Sequence, residues 1–365
     1  MKRIKVLIVE DSAFMRKLIS EFLAEDKRIE VIGTARNGKE AISKIKEQKP
    51  DVVTLDVEMP IMNGLEALKE IMQQCPTPVI MLSSTTREGA ENTVSAMDIG
   101  AFDFISKPSG AISLDLHKIK RELIDKVIAA SKTSIQMLQK NPRIVESFMP
   151  DKNKCSKIEP EKEKQTILNN WNPESKKIIV IGTSTGGPRA LQAVLTKLPG
   201  NLDAPILIIQ HMPPGFTKSL AERLNSLSEI TVKEAEDGEI IHKGTAYIAP
   251  GGWHLKVKRI GMALAVSVDG SEIRGGHRPS VDVLFESVSE IPDYSKVAVI
   301  MTGMGSDGAA GLIRMKKTGN VKAIAESQET SIVFGMPKAA IATGLVDSVE
   351  NVEKIANAIV KFCNQ

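Results

Sequence analysis

Cysteine is scarce in this chain. Three residues, Cys75, Cys155 and Cys363, stand far apart among 365. An odd, scattered set gives neither a disulfide framework nor a CxxC zinc pattern, so a reducing cytoplasm is the expected location. Long apolar runs are missing as well. No stretch approaches the roughly 20 residues of a membrane-spanning helix, and no membrane insertion is expected. The opening MKRIKVLIVEDS is basic and then apolar, but Glu10 and Asp11 end the apolar part too early for a secretory signal. Neither sign of charge dominates. A net charge of +3 argues for neither nucleic acid nor a membrane surface as partner, and no helix-turn-helix signal is recognisable.

What is present is the composition of a globular protein, with 42% hydrophobic and 25% charged residues. The length suits two or three domains, each with its own core. The first part alternates strand and helix signals. Ile4–Val9, Glu30–Ala35, Val52–Asp56, Val79–Ser83 and Phe102–Ile105 read as strands. Between them, helices are expected from Ser12 as cap to about Ala24, with Phe14, Leu18, Ile19 and Phe22 on one face, and over 38–47, 64–74 and 87–100. Five short strands alternating with helices predict a doubly wound parallel sheet of α/β class.

A helical, mixed-charge pattern covers about 112–139, and 141–175 is rich in Pro, Lys, Glu and Asn with little apolar periodicity. This divides the chain into a first domain over 1–125, a linker over 126–175 and a second α/β domain over 176–365. In the second domain Ile178–Ile181, Pro205–Gln210, Thr245–Ala249, Leu264–Val268 and Ala298–Thr302 are expected strands. Pro188–Leu198 and Pro279–Ser289 are expected helices.

The first domain gathers carboxylates. Glu10 and Asp11 follow strand 1 and Asp56 ends strand 3, and ligands of open parallel sheets bind outside the carboxyl ends of strands. Three acids meeting there would repel one another, and a hard divalent cation such as Mg²⁺ would relieve that repulsion. Ser83 ends strand 4 and Lys107 follows strand 5, a hydroxyl and an ammonium suited to phosphoryl oxygens. Singly, each acid also reads as a solvated loop residue. The ordered set is more specific. The stretches VLIVEDSAFMR, DVVTLDVEMPIMNGLEAL, PVIMLSS and FDFISKP resemble the flavodoxin-like receiver domain of two-component response regulators. The resemblance implies that Asp56 accepts a phosphoryl group from a histidine kinase. It implies also that Glu10 and Asp11 help bind Mg²⁺, and that Ser83 and Lys107 respond to the phosphoryl group. Phe104 stands where that family often has a switching aromatic, and core packing accounts for it equally well.

The second domain opens with KKIIVIGTSTGGPRALQAVL, a strand, a glycine-rich turn and a helix. A Walker phosphate loop needs Gly-Lys-Ser/Thr, which is absent, and Ser184 stands where a dinucleotide loop needs its second glycine. Gly182-Thr183-Ser184-Thr185-Gly186 fits the G-x-S-x-G nucleophile elbow in its strand-to-helix context. A structural or anion-binding turn is the competing reading. A serine nucleophile needs a base and an orienting acid. Of five histidines, His211 ends a strand where Ser184 should sit. His254 and His277 are weaker candidates, His242 lies in a turn, and His117 lies in the inter-domain helix. Asp307 lies beyond the apolar strand of KVAVIMTGMGSDGAAGL, while its rival Asp282 falls on a helix. The order Ser, His, Asp is not that of an α/β-hydrolase.

At this point IGTSTGGPRAL, QHMPPGFTKSLAERLN, YIAPGGWHL, HRPSVDVLFESV, MTGMGSDGAAGL and VFGMPKAA are similar to the catalytic domain of the chemotaxis protein-glutamate methylesterases. The resemblance implies Ser184 as nucleophile, His211 as base and Asp307 as orienter. Thr185 and the Met304 backbone would lie near the oxyanion. It implies hydrolysis of glutamyl methyl esters on chemoreceptors, deamidation of receptor glutamines, and no metal for the hydrolysis. Two rivals read the second domain differently. One is a domain that only binds a partner or DNA, and the other is a nucleotide-binding α/β domain.

Overall fold

The computed structural model describes residues 2–107, 114–139, 171 and 174–364, with side chains described from residue 119 onward in the helix that begins at 114. The first unit alternates β1 (Ile4–Val9), α1 (Ala13–Ala24), β2 (Ile29–Ala35), α2 (Gly38–Gln48), β3 (Val52–Asp56), α3 (Gly64–Gln74), β4 (Val79–Ser83), α4 (Arg87–Ile99), β5 (Asp103–Ser106) and α5 (Leu114–Ala130), with a short α6 (Ile135–Gln139). Its five strands are all parallel in the order β2-β1-β3-β4-β5. The central strands β1, β3 and β4 are mostly apolar because both faces are covered. Val6 and Ile8 of β1 point to one side, against Leu123 and Val127 of α5, while Leu7 and Val9 join the opposite core. The boundary expected at 125/126 therefore falls inside α5, whose Val127 and Ala130 are buried in this unit.

One expectation about α1 is corrected. Phe14 is 72% exposed. The buried stripe runs through Met15, Ile19, Phe22 and Leu23, and Phe14 lies about 100° round the helix from Met15. Ser12 does cap α1, its hydroxyl accepting from the Met15 N–H.

The second unit runs β6 (Lys176–Thr183), α7 (Gly187–Leu195), β7 (Ile206–Gln210), α8 (Phe216–Asn225), β8 (Thr231–Glu234), β9 (Thr245–Ile248), β10 (His254–Ile260), β11 (Ala263–Asp269), α9 (Val281–Ser289), β12 (Tyr294–Ile300), α10 (Ala309–Lys317), β13 (Val321–Glu326), α11 (Met336–Ala342), β14 (Ser348–Glu350) and α12 (Val352–Asn364). Seven parallel strands lie in the order β14-β13-β12-β6-β7-β9-β8. The expected strand Leu264–Val268 exists as part of β11. It pairs antiparallel with β10 in a separate two-stranded hairpin and lies outside the parallel sheet. Its apolar residues Leu264, Ala265 and Val266 are all buried, a pattern that does not distinguish a hairpin from a sheet strand.

Most of the expected linker, residues 140–170, lies outside the described residues, as do Cys155 and the side chain of His117. Trp171 packs against Phe362 of α12 with ring centroids 6.4 Å apart.

The two units are in contact. Phe104 of β5 stacks on Phe216 of α8, centroids 4.7 Å apart, and Arg223 of α8 pairs with Asp98 of α4 at 2.8 Å. The exposed ion pair contributes little by itself, whereas both rings are buried. Phe104→Ala or Phe216→Ala should each destabilise the full chain by about 3–5 kcal/mol. A double-mutant cycle in denaturant unfolding should return a coupling of about 1 kcal/mol between the rings.

Candidate active site

In both units the strand order reverses beside the first strand, between β1 and β3 in the first and between β6 and β12 in the second. Loops leaving the two strands on either side of such a point diverge and leave a crevice at the carboxyl ends. The candidate residues fall in these two crevices.

In the first, ligand oxygens of Glu10, Asp11 and Asp56 lie within 4.8 Å of one another. Lys107 Nζ is 2.7 Å from Asp56 Oδ1 and 3.0 Å from Glu10 Oε2. Burial is the larger influence raising both Glu10 and Asp56 above the usual carboxylate range, and the Lys107 ammonium pulls against it. Asp56 Oδ2 is buried without a hydrogen-bond partner. Three hard oxygen donors with an unpaired buried carboxylate atom suit a divalent cation of the Mg²⁺ type. Ser83 Oγ is buried and donates to the Gly89 carbonyl at 2.9 Å.

In the second, β6 delivers Ser184 into a turn that starts α7. Gly186 takes φ 79°, a left-handed conformation favouring glycine, so the chain reverses tightly under the serine. Thr183 pairs in register with Gln210 at the end of β7. The Gln210 amide donates to the Ser184 carbonyl at 3.0 Å and to the His211 carbonyl at 3.2 Å. On the other side the Ser184 N–H donates to the Thr302 carbonyl at 3.0 Å. Gly303 is needed beside it, since a Cβ there would stand 2.8 Å from Ser184 Cβ. Ser184 Oγ itself makes no hydrogen bond among the described residues.

His211 and Asp307 meet. His211 Nε2 lies 2.9 Å from Asp307 Oδ2. The carboxylate also accepts from the Val281 N–H at 2.7 Å, the Ser280 hydroxyl at 2.9 Å and the Asp282 N–H at 3.0 Å, which places it at the N-terminus of α9. Burial opposes the charge, but His211 and these backbone donors outweigh it and hold the carboxyl down at about 2. An ionised Asp307 can only accept in this contact, so Nε2 carries the ring N–H and donates it to Oδ2. The remaining ring nitrogen, Nδ1, is buried and has no hydrogen-bond partner. Asp282, the rival acid, instead accepts from the Gly308 and Gly311 N–H groups at 2.9 and 2.7 Å, at the start of α10. Asp307 thus caps α9, on which Asp282 lies, and Asp282 caps α10, which follows Asp307.

His277 is, with His254, a weaker candidate in sequence terms, yet its ring lies flat on that of His211, centroids 3.9 Å apart and planes 5° apart. His254 is fully buried and its Nε2 lies 3.0 Å from the Glu272 carbonyl. Thr185 is not free: its hydroxyl donates to Asp103 of β5 at 2.7 Å. Met304 is half-buried in the loop after β12. Asp103, Gln210, His277 and Ser280 lie inside the stretches FDFISKP, QHMPPGFTKSLAERLN and HRPSVDVLFESV, but nothing in those stretches gives Asp103, Gln210 or Ser280 a role, and His277 stands out only by its residue type.

The family model for the response regulator receiver domain matches residues 6–119, and that for CheB methylesterase matches 179–359. The protein-glutamate methylesterase/protein-glutamine glutaminase of Geobacillus kaustophilus (strain HTA426) is 57% identical over 365 residues, the whole of both chains. That of Bacillus subtilis (strain 168) is 54% identical over 357 residues, 98% of this chain and 97% of its own. The crystal structure of the Thermotoga maritima CheB methylesterase catalytic domain is 48% identical, with a TM-score of 0.50 over 51% of this chain and 98% of that one.

Because Asp307 ionises more readily folded than unfolded, it stabilises the fold at neutral pH. That contribution is present above about pH 4 and is lost as pH falls through about 2. Asp307→Asn must turn an amide NH₂ toward one of its donors. It should unfold about 2–4 kcal/mol more easily at pH 7, and its deficit should shrink toward pH 2. Denaturant titrations across that range measure both.

Proposed function

The chain belongs to the protein-glutamate methylesterase/protein-glutamine glutaminase family, and from that premise we propose that Ser184, His211 and Asp307 hydrolyse glutamyl methyl esters of chemoreceptors. The observation that carries this reading is the clamped imidazole. One nitrogen of His211 is committed to Asp307 and the other is left unpaired, on a strand end adjacent to a serine whose hydroxyl is uncommitted.

The steps follow from that arrangement. Ser184 Oγ attacks the γ-carbonyl carbon of the ester and its proton passes to His211 Nδ1. The Asp307 carboxylate stabilises the imidazolium through Nε2–H without taking a proton itself. Backbone N–H groups at Thr185 and Met304, beside the N-terminus of α7, stabilise the oxyanion. The tetrahedral intermediate collapses, and the proton on Nδ1 leaves with the methoxide as methanol. Water, deprotonated by the same nitrogen, then attacks the acyl-serine; the acyl–Oγ bond breaks, the Nδ1 proton returns to Ser184 Oγ, and glutamate is released. With a glutamine amide as substrate the leaving group is ammonia and the other steps are unchanged.

The receiver supplies the control. Asp56 is the phosphoacceptor, with a histidine kinase as donor. Glu10, Asp11 and Asp56 would hold Mg²⁺, which when bound offsets negative charge around the incoming phosphoryl group. Asp103 and Phe104, which hold Thr185 and Phe216, lie a few residues before Lys107 on β5. A phosphoryl group that draws Lys107 and Ser83 toward itself shifts β5, and the population moves toward a form with Ser184 uncovered. Covering is supported by the contact itself, since a receiver carboxylate bonds the residue next to the nucleophile.

Methanol release from methylated receptor membranes tests both halves. Wild type should release methanol faster with a small phosphodonor and Mg²⁺, and Ser184→Ala should lose roughly 10³-fold or more. Retained release in Ser184→Ala would return the domain to a binding role. Asp103→Ala, which frees Thr185, should raise the rate without phosphodonor several-fold toward the stimulated value. An unchanged basal rate would argue against covering at this contact.

A further inference from the structure

One buried acid is left without a role in that chemistry. Glu326 ends β13 and is 1% exposed. Its Oε2 accepts from the Thr302 backbone N–H at 2.7 Å, and its Oε1 accepts from the Thr330 hydroxyl at 2.9 Å. Thr330 Oγ1 in turn accepts from the Val352 N–H at the start of α12, at 3.0 Å. Thr302 is the residue on which the nucleophile turn is hung. Its carbonyl accepts from the Ser184 N–H, and its hydroxyl donates to the Thr185 carbonyl at 2.9 Å. The same hydroxyl accepts from the Val333 N–H at 3.0 Å. Thr302 has therefore no freedom on the Ser184 side, and on the other side Glu326 fixes it.

We propose that Glu326 is a positioning residue of the hydrolase site, holding through Thr302 the backbone on which Ser184, Thr185 and the Met304 loop are registered. This rests on the assignment of Ser184 as nucleophile.

A purely structural burial would be satisfied more cheaply by an apolar side chain, because a carboxyl group this deep is costly without a specific use. Burial pushes Glu326 up to about 7, against the Thr302 N–H and Thr330 hydroxyl, which favour the charge. Among the described residues, the charged groups facing it are Glu353 of α12, whose field also raises it, and its register partner Glu350 on β14. The group is raised in the fold, so neutral Glu326 adds no penalty below about pH 4.5, and the cost of its buried charge grows until pH passes about 7. An ionised carboxylate behind Thr302 also opposes the negative charge that develops on the ester carbonyl oxygen.

The test uses the full chain, stimulated by a small phosphodonor and Mg²⁺, with methanol release from methylated receptor membranes as readout. Glu326→Ala leaves the Thr302 N–H unpaired; kcat should fall roughly 10- to 100-fold with KM changed less than about threefold. Glu326→Gln keeps an acceptor for Thr302 and should restore kcat to within about threefold at pH 6. Its kcat relative to wild type should then rise about two- to fivefold between pH 6 and pH 8.5, because it cannot ionise. The proposal is overturned by a Glu326→Ala kcat within about twofold of wild type, by a loss confined to KM, or by Glu326→Gln as impaired as Glu326→Ala. If thermal unfolding shows Glu326→Ala to be unfolded, the pH dependence of Glu326→Gln decides alone, and a flat ratio overturns the idea. Ser184→Ala in the same assay separates this outcome from failure of the esterase reading, which it alone addresses.

Discussion

The Asp307 carboxylate is the point on which the catalytic unit turns. Four donors converge on it: the His211 imidazole, the Ser280 hydroxyl and two N–H groups at the head of α9. It joins the loop after β12, the end of β7 and the start of α9, which are far apart in the chain. Its charge survives burial because the helix terminus and the imidazole favour the ionised form more than desolvation disfavours it. Once that charge is in place, the tautomer of His211 follows, and Nδ1 is the ring nitrogen left without a hydrogen-bond partner. Asp282 completes the arrangement by capping α10 from α9, so that α9 and the loop leading into α10 hold each other in place.

The two units use one architectural device twice. Each sheet reverses strand order beside its first strand, and each places polar residues in the crevice this creates. In the receiver the residues are carboxylates and a lysine, an arrangement suited to a cation and a phosphoryl group. In the catalytic unit they are a serine and a histidine with a helix-capped acid, suited to acyl transfer. The link between the crevices is short. Asp103 and Phe104 of β5 reach into the catalytic unit a few residues before Lys107 meets Asp56. A charge change at Asp56 therefore need not travel through a long chain of contacts to reach Thr185.

Much of this was legible in the chain because it is local. Apolar runs such as Ile178–Ile181 mark strands covered on both faces, and residues just after them must emerge at the sheet's carboxyl edge. Ser184, His211, Asp307, Glu10, Asp56, Ser83 and Lys107 could be placed at strand ends on that ground. Phe14 failed for a local reason of a different kind, since a helical face has a width and one residue's rotation leaves it in solvent. Leu264–Val268 of β11 is legible as a strand, but neither its partner β10 nor its place outside the sheet is, because pairing partners leave no mark in a single strand's pattern.

The sequence by itself determined the α/β alternation of the two domains, the strand ends at which chemistry could occur, and through long specific motifs the family. Tertiary structure alone decided which side chains share a crevice. Asp307 rather than Asp282 meets His211, His277 lies flat on the same ring, Asp103 holds Thr185, and Glu326 holds Thr302. The physical reason is that strand and helix periodicities are set by neighbours a few residues away. A hydrogen bond between residues 24 to 96 positions apart depends on strand order and register, which no local pattern encodes.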